Sequence, residues 1–471
     1  MRKITIDNVV IGAGTAGLAA YRAIKSANQK VILIEGGSYG TTCAKVGCMP
    51  SKLLIAAAEA HHSHSRFSQF GIETKTAPTV NGVNVMARVR TERDRFVGFV
   101  IEGVDSIPEE DKIIGYARFT HPNQLMIDDH TEITFNKAVI ATGSSPVVPP
   151  FLKELGDRVI VNDDIFSWQD LPQSVAVFGP GVIGLEIGQA LHRLNVNVHL
   201  FGRDNHIGPI TDPIVKNEAL TIFNEEMNYI PDVSTIKVER RDNAVLIEYT
   251  TPDNIQKTIL VDYVIAATGR APNVNQLNLA ALNIELDPRG VPIFDRHTMQ
   301  CGTSPIFIAG DANHDVPLLH EAADEGKIAG ENAATYPNIK KGLRRSAIGV
   351  VFSDPQIALI GDRFSDLKID QIVIGEVNFS NQGRSRVMLK NKGILRVYAD
   401  KLTGVLLGAE MIGPDAEHLA HLLSWVHQLN LSINDILALP FYHPVIEEGL
   451  RTALRDAQEK INALSSSQIA A

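Results

Sequence analysis

Cysteine is nearly absent from this chain: Cys43, Cys48 and Cys301 are the only three in 471 residues. That excludes a secreted disulfide scaffold, which needs several paired cysteines to brace a small fold. The expected home is a reducing compartment, the cytoplasm, where a disulfide is a reaction intermediate more often than a brace. Long apolar runs are also missing. None reaches the ~18 residues that a membrane-spanning helix needs. The apolar start behind Met1-Arg2-Lys3 is broken by Asp7 and Asn8, so neither a signal peptide nor a membrane partner is expected. Positive charge is in deficit, with 44 Lys and Arg against 54 Asp and Glu and a formal net charge of −10. Such a balance offers no basic face for nucleic acid and no polybasic patch for a lipid surface.

What remains is the composition of a soluble globular protein, 44% hydrophobic and 21% charged. At this length two to four domains are expected. Residues 4–11 are β-branched and apolar, as in a buried parallel strand. Gly12-Ala13-Gly14-Thr15-Ala16-Gly17 follows, then a helix pattern from Leu18 to Ala27 and a strand from Lys30 to Ile34 that ends on Glu35. This is a complete β-α-β unit. In it Gly12, Gly14 and Gly17 let the backbone approach a pyrophosphate at the positive end of a helix, and Glu35 can accept hydrogen bonds from a ribose.

The same grammar returns about 170 residues later. Ser174–Phe178 reads as a strand. Gly179, Gly181 and Gly184 form the second loop, a helix runs to about Leu194, and Asn197–Phe201 is the next strand. Two such units imply two nucleotides. Glu35 lies 23 residues after Gly12, and the same count from Gly179 reaches Gly202, followed by Arg203. The acid that would hold a 2′-hydroxyl is missing, and a guanidinium that can pair with a 2′-phosphate stands beside its place. NADPH is therefore expected to be preferred, or accepted alongside NADH. Ala138–Gly143 and Val264–Arg270 each read as a strand that turns sharply beside a ligand, and Ile306–Ala309 ends at Gly310-Asp311. Beyond about residue 345 the glycine loops stop, and strand patterns (Gly393–Val397) mix with helix patterns (His418–Gln428) in a separate α+β domain.

The strongest local signal is Cys43-Ala44-Lys45-Val46-Gly47-Cys48-Met49-Pro50-Ser51-Lys52. Two cysteines with four residues between them can close a small disulfide ring. Pro50 suits the first turn of a helix that continues from Lys52 to Ala60, so Cys48 sits near a helix N-terminus, where the dipole favours a thiolate. No cysteine or histidine pair completes a zinc set at the usual spacing, and no metal is expected. Taken alone, His443-Pro444 reads as a turn before a helix; beside a redox pair, His443 can exchange protons with a thiol while a nearby carboxylate fixes its tautomer. His61, His62 and His64 read as an exposed helix end without assigned function, and Cys301 as an ordinary small residue.

Together these residues resemble the pyridine nucleotide–disulfide oxidoreductases with a CxxxxC redox pair, and within that class the dihydrolipoamide dehydrogenases. The resemblance covers nearly the whole chain, including Phe352-Ser353-Asp354-Pro355 and the late His-Pro-x-x-x-Glu. It implies an α/β fold with two Rossmann-like domains, three-layer β/β/α, for FAD and NAD(P), and a C-terminal α+β dimerisation domain. The expected boundaries are 1–145 and 272–344 for the FAD domain, 146–271 for the NAD(P) domain and 345–471 for dimerisation. It implies a homodimer in which His443 of one subunit serves the cysteines of the other. Cys43 is implied as the thiol that meets substrate, Cys48 as the charge-transfer thiol, Glu448 rather than Glu447 as the group orienting His443, and Lys52 and Glu186 as a pair near the flavin. Asp311 is implied to bind the flavin side chain. Further cofactor contacts are implied at Ala16, Thr42, Lys52, Thr142, Gly143, Gly269, Arg270 and Gly310.

Two departures stand out. The family usually has Gly-Gly before the first redox cysteine, whereas this chain has Gly40-Thr41-Thr42-Cys43, and Val182 replaces the tyrosine typical of glutathione reductases. The implied activity is oxidation of a dithiol, free or on a lipoyl domain of a 2-oxo acid dehydrogenase complex, with reduction of NAD(P)+. The alternatives are an NADPH-dependent disulfide reductase of glutathione-reductase type and, from another class, a non-catalytic FAD-binding redox sensor or complex subunit. A mercuric reductase is disfavoured because no cysteine pair follows Cys301.

Overall fold

Residues Asn8 to Ile11 are fully buried at the end of β1 (Arg2–Ile11), the central strand of the first sheet. The computed structural model describes residues 1–233 and 235–469, with side chains as far as residue 464. They divide into two compact units. The first comprises 1–53, 87–147 and 269–344; the second comprises 54–86, 148–268 and the chain from Arg345.

In the first unit β1 pairs in parallel with β2 (Val31–Glu35) on one side and with Thr131–Ile140 on the other. Ile306–Ile308 joins the last three residues of Thr131–Ile140, again in parallel. These strands all end at one edge, where a doubly wound sheet binds its ligand. One face is covered by α1 (Thr15–Ser26) and the helix Leu319–Thr335. Those helices are in near-backbone contact: a Cβ on Gly326 would lie 2.1 Å from Ala16 O, and one on Gly330 2.5 Å from Ala20 O. The other face is covered by an antiparallel meander, Ala117–His121 and Gln124–Ile127, which continues into Thr131–Ile140, so the two β layers share that strand. Phe119, Leu125 and Phe135 fill the space between them. The chain leaves this unit and returns to it through Ser144–Pro146 and Arg270–Pro272, which pair antiparallel.

The second unit repeats the scheme. Five parallel strands lie in the order Asn228–Ile230, β4 (Asn197–Phe201), β3 (Ser174–Phe178), Tyr263–Ala266 and Val159–Ile160. The helix α4 (Val182–Arg193) joins β3 to β4. A separate three-stranded antiparallel sheet packs on this one through Val245, Ile247 and Tyr249, and Phe201 stacks on Phe178 at 5.1 Å. From Ile348 onward a five-stranded antiparallel sheet is flanked by helices Ala416–Gln428 and Glu447–Ile469. The expected strand at Gly393–Val397 is Ile394–Asp400.

Within this unit, one face of α4 grips the segment Phe352–Asp354. Glu186, Gln189 and Arg193 recur at helical spacing and are all buried. Glu186 accepts the Phe352 N–H at 3.0 Å, Gln189 accepts the Asp354 N–H at 2.8 Å, and Arg193 donates to Asp354 Oδ2 at 2.9 Å and to Glu226 Oε1 at 2.5 Å. Burial raises the Asp354 carboxyl, but the Arg193 charge and hydrogen bond outweigh it, and the net result is a pKa below the usual carboxylate range. A depressed carboxylate contributes stability that is present above its unfolded pKa and lost as pH falls through its folded one. We predict that Arg193→Met lowers stability at neutral pH by about 3 kcal/mol, by stranding two carboxylates. The deficit in denaturant unfolding should begin to shrink as the pH falls below the unfolded carboxylate value of about 4, and go on shrinking until folded Asp354 protonates. A deficit that stays constant well below that pH, until the protein acid-unfolds, would contradict this.

Candidate active site

The first glycine loop is built by contacts that no side chain could survive. Gly12 has φ +104°, and a Cβ there would lie 2.3 Å from Ala141 O; one on Gly17 would lie 1.8 Å from Gly12 O. Gly14 is different, with nothing within 4 Å of the position its Cβ would take. Protein packing does not demand glycine there, whereas a ligand approaching the backbone does. Gly14 also N-caps α1, and among the described residues no side chain satisfies that cap. The first-turn N–H groups are thus available to an anion. Glu35 Oε2 accepts the Ala13 N–H at 2.7 Å and Oε1 the Gly37 N–H at 2.9 Å, which holds the carboxylate at the loop. The side chain of Thr142 presents a buried hydroxyl without a partner among the described residues, at the turn after Thr131–Ile140. Those features fit a dinucleotide pyrophosphate and ribose.

The neighbouring turns are tied into the same unit. Gly310 has φ +69°, and a Cβ on it would meet Ala16 Cβ at 2.9 Å, so Ala16 packs directly on this turn. Buried Glu325 accepts the Gly310 N–H at 2.8 Å and is itself held by Arg344 Nη1 at 2.7 Å. Arg270 Nε donates to Ser144 Oγ at 2.8 Å, and Ser144 Oγ donates to Asp311 Oδ2 at 2.7 Å. Asn273 Nδ2 donates to Thr142 O at 3.1 Å, and its N–H to Gly143 O at 2.9 Å; Gly143 has φ +68°. Ser144, Glu325 and Arg344 escaped the sequence reading. Their only signals were a serine directly after Ala-Thr-Gly and a charged pair with no pattern in sequence.

Cys43 and Cys48 sit on two consecutive helices, α2 (Thr42–Val46) and α3 (Cys48–His62), separated by Gly47. Thr41 caps α2 by accepting the Ala44 N–H at 3.3 Å on its hydroxyl, so the departure from Gly-Gly is a helix cap. Thr42 opens α2 and is exposed. Cys48 is the first residue of α3, whose first turn holds no acidic residue. Cys43 is half-buried and Cys48 exposed. Their side chains hydrogen-bond each other. That bond, burial and the charge of Cys48 together hold the Cys43 thiol far above the ordinary thiol range, so Cys43 keeps its proton. Lys52 lies one turn on, with Nζ 3.4 Å from Ser51 Oγ.

In the second unit the other glycine loop reproduces the first. Gly179 has φ +105° and would place a Cβ 2.3 Å from Ala267 O; a Cβ on Gly184 would lie 1.9 Å from Gly179 O; Gly181 again has nothing within 4 Å. Gly181 N-caps α4 with no side-chain cap among the described residues. Arg203 is an exposed side chain whose Nε lies 3.3 Å from Asp204 Oδ2. Glu186, expected to pair with Lys52, belongs to this unit and accepts the Phe352 N–H there. His443 is 80% exposed, and its Nδ1 lies 2.9 Å and 3.1 Å from the two Glu448 oxygens. With Nδ1–H donating to that carboxylate, Nε2 carries the basic lone pair. The same hydrogen bond holds the Glu448 carboxyl below the usual range.

One expectation needs correcting. His61, His62 and His64 are half-buried rather than exposed. His61 Nδ1 donates to Arg193 O and His64 Nδ1 to His61 O, each at 2.6 Å, and burial lowers the His62 pKa. Cys301 is fully buried, which pushes its thiol up to about 12. Among the described residues no group of three His, Cys, Asp or Glu could hold a metal, and no helix is long and apolar enough to cross a membrane.

The family model for pyridine nucleotide-disulphide oxidoreductases matches residues 6–326, and that for the dimerisation domain of the same family matches 348–454. A dihydrolipoyl dehydrogenase of Geobacillus stearothermophilus is 29% identical over 94% of both chains. A mercuric reductase of Staphylococcus aureus is 28% identical, covering 98% of this chain and 84% of that one. Among solved structures, the HOCl-induced flavoprotein disulfide reductase RclA from Escherichia coli superposes with a TM-score of 0.79 over 95% of this chain and 99% of that one, at 22% identity. Matched along most of its length, the chain belongs to the pyridine nucleotide-disulphide oxidoreductases, flavoproteins that act on sulfur groups with FAD and NAD(P).

Proposed function

We propose that this disulfide oxidoreductase works as a dihydrolipoyl dehydrogenase, oxidising a dithiol at Cys43–Cys48 and reducing NAD(P)+. The observation that carries the reading is the hydrogen-bonded cysteine pair at the head of α3, in the same unit as the Glu35 loop. Similarity to dihydrolipoyl dehydrogenases along nearly the whole chain supports it. The absence of any cysteine after Cys301 speaks against the mercuric reductase chemistry of another relative. The breaks after residues 147, 268 and 344 support the proposed ends of an FAD domain at 1–145 and 272–344, an NAD(P) domain at 146–271 and a dimerisation domain from 345, while residues 54–86 group with the second unit. The dimerisation-domain match supports a homodimer.

In this reading His443, oriented by Glu448, takes a proton from the substrate dithiol, and in the homodimer it serves the cysteines of the other subunit. The substrate thiolate attacks Cys43 of the oxidised pair, and Cys48 leaves as a thiolate stabilised at the α3 N-terminus. The second substrate thiol then displaces Cys43, releasing a cyclic disulfide and leaving both cysteines reduced. FAD, when bound, supplies the two-electron exchange between the dithiol and the nicotinamide. Gly14 and the first turn of α1 would hold its pyrophosphate, Glu35 a ribose and Asp311 its side chain, while Lys52 would act near the ring. The missing acid at Gly202 and the neighbouring Arg203 favour NADP over NAD. They also keep a second reading open, an NADPH-dependent disulfide reductase of glutathione-reductase type.

Assays with dihydrolipoamide, lipoamide and oxidised glutathione, each with both nucleotides, test the assignment. Turnover is expected with the lipoyl substrates, and turnover confined to glutathione would overturn it. Cys48→Ser is predicted to abolish dithiol turnover while the purified protein keeps its flavin spectrum; an active variant would remove Cys48 from the redox pair. His443→Gln is predicted to slow dithiol oxidation by about 100-fold or more while reduction of the flavin by nicotinamide nucleotide changes little in stopped flow. Equal slowing of both half-reactions would rule His443 out as the base.

A further inference from the structure

The two glycine loops differ at one coupled pair of positions. Strand register places Ile11 opposite Ile34 in the first unit and Phe178 opposite Phe201 in the second. The next residue on each second strand, Glu35 and Gly202, therefore occupies the same place. In the first loop the Glu35 carboxylate is held by the N–H of Ala13 at 2.7 Å. The residue in the place of Ala13 is Pro180, which has no N–H to donate. The second loop has lost the acid and one of its two anchors together.

The space around Gly202 is closed as well. A Cβ there would lie 2.9 Å from Pro231 O, 3.1 Å from Tyr229 Oη and 3.2 Å from Pro180 Cγ. Gly202 cannot swing away, because its N–H donates to Ile230 O at 2.7 Å and Tyr229 Oη donates to His206 O at 2.5 Å. A carboxylate introduced at 202 would meet the Pro180 ring where Glu35 meets an N–H, and of the two N–H groups that hold Glu35 only the counterpart of Gly37, on Asp204, is present, already donating to Asp232 Oδ1 at 3.2 Å. Arg203, by contrast, is 86% exposed and lies beside an equally exposed Asp204, so it is a weak, solvent-screened determinant.

We propose that Pro180 and Gly202 act as one specificity-determining pair for the adenosine 2′ position: they exclude the carboxylate that would select a 2′-hydroxyl, and so admit a 2′-phosphate. This rests on the reading of the second loop as the nicotinamide nucleotide site. Arg203 adds attraction for the phosphate but does not decide against the hydroxyl. Restoring selection for the unphosphorylated nucleotide therefore requires both an acid at 202 and a donor at 180.

The test uses FAD-loaded protein and two nucleotide fragments, adenosine 2′,5′-bisphosphate and adenosine 5′-monophosphate, with dissociation constants from calorimetry and kcat/KM for NADPH and NADH alongside. Wild type should bind the bisphosphate more tightly, by about tenfold. Arg203→Ala should weaken the bisphosphate without tightening the monophosphate. Gly202→Glu alone should weaken both fragments. Pro180→Ala alone should change their ratio by less than about threefold. The double variant Pro180→Ala/Gly202→Glu should shift the ratio towards the monophosphate by at least about tenfold beyond the product of the single effects. Additive effects, or Gly202→Glu alone shifting the ratio as far as the double variant, would overturn the coupling. So would failure of both glutamate variants to fold while Pro180→Ala folds, since the restored donor would not have rescued the acid. A wild-type protein that binds neither fragment and whose flavin neither nucleotide reduces would overturn the nucleotide reading of the loop itself.

Discussion

Each dinucleotide loop presses the peptide of its first glycine against the first turn of the helix that follows, leaving no room for a side chain at Gly17 or Gly184. That contact aims the N-terminal N–H groups of α1 and α4 at the edge where their parallel strands end. The rest of each unit can be understood as support for it. In the first unit, helix Leu319–Thr335 lies almost backbone to backbone on α1 through Gly326 and Gly330, and the buried Glu325 of that helix holds the Gly310 turn. In the second, the buried face of α4 is locked by Glu186, Gln189 and Arg193 onto Phe352–Asp354. The helices are positioned from behind, and their first turns are left for ligands.

The thiol chemistry rests on a similar division of labour. Thr41 caps the short helix that carries Cys43, while Cys48 opens the next one. The Cys43 sulfur is therefore placed to keep its proton, and the Cys48 sulfur stands at a helix N-terminus. His443 is oriented by Glu448 and otherwise open to solvent, as its proposed role as the base toward a dithiol requires. No strongly strained or deeply buried acid is needed, because the cofactor family carries the electronic step and the chain has only to manage position, charge and protons.

Much of this was legible in the sequence because it depends on local pattern. The strands Ser174–Phe178 and Asn197–Phe201 agree with the expected bounds to the residue, since apolar runs end where glycines begin. Glu448 could be told from Glu447 only through the family pattern, and the hydrogen bond is to Glu448. What could not be read depends on contacts between distant segments. Ser144 between Arg270 and Asp311, Glu325 under Gly310, and the Arg193 carbonyl that draws in His61 each join residues more than ten positions apart with no periodic signal. Gly202 was visible as a missing acid, but the reason it must be glycine lies in Pro231 and Tyr229, which only the folded chain brings close.

The claim on which the chemistry depends is that Cys43 and Cys48 exchange two electrons with the bound cofactors. Counting thiols in the FAD-loaded protein, denatured anaerobically before and after one equivalent of NADPH and mapped by peptide mass, tests it most directly. With three cysteines in the chain, the count should rise from one, Cys301, to three, and both new thiols should map to positions 43 and 48. A count unchanged by reduction while the flavin remains competent, or a disulfide involving Cys301, would contradict it.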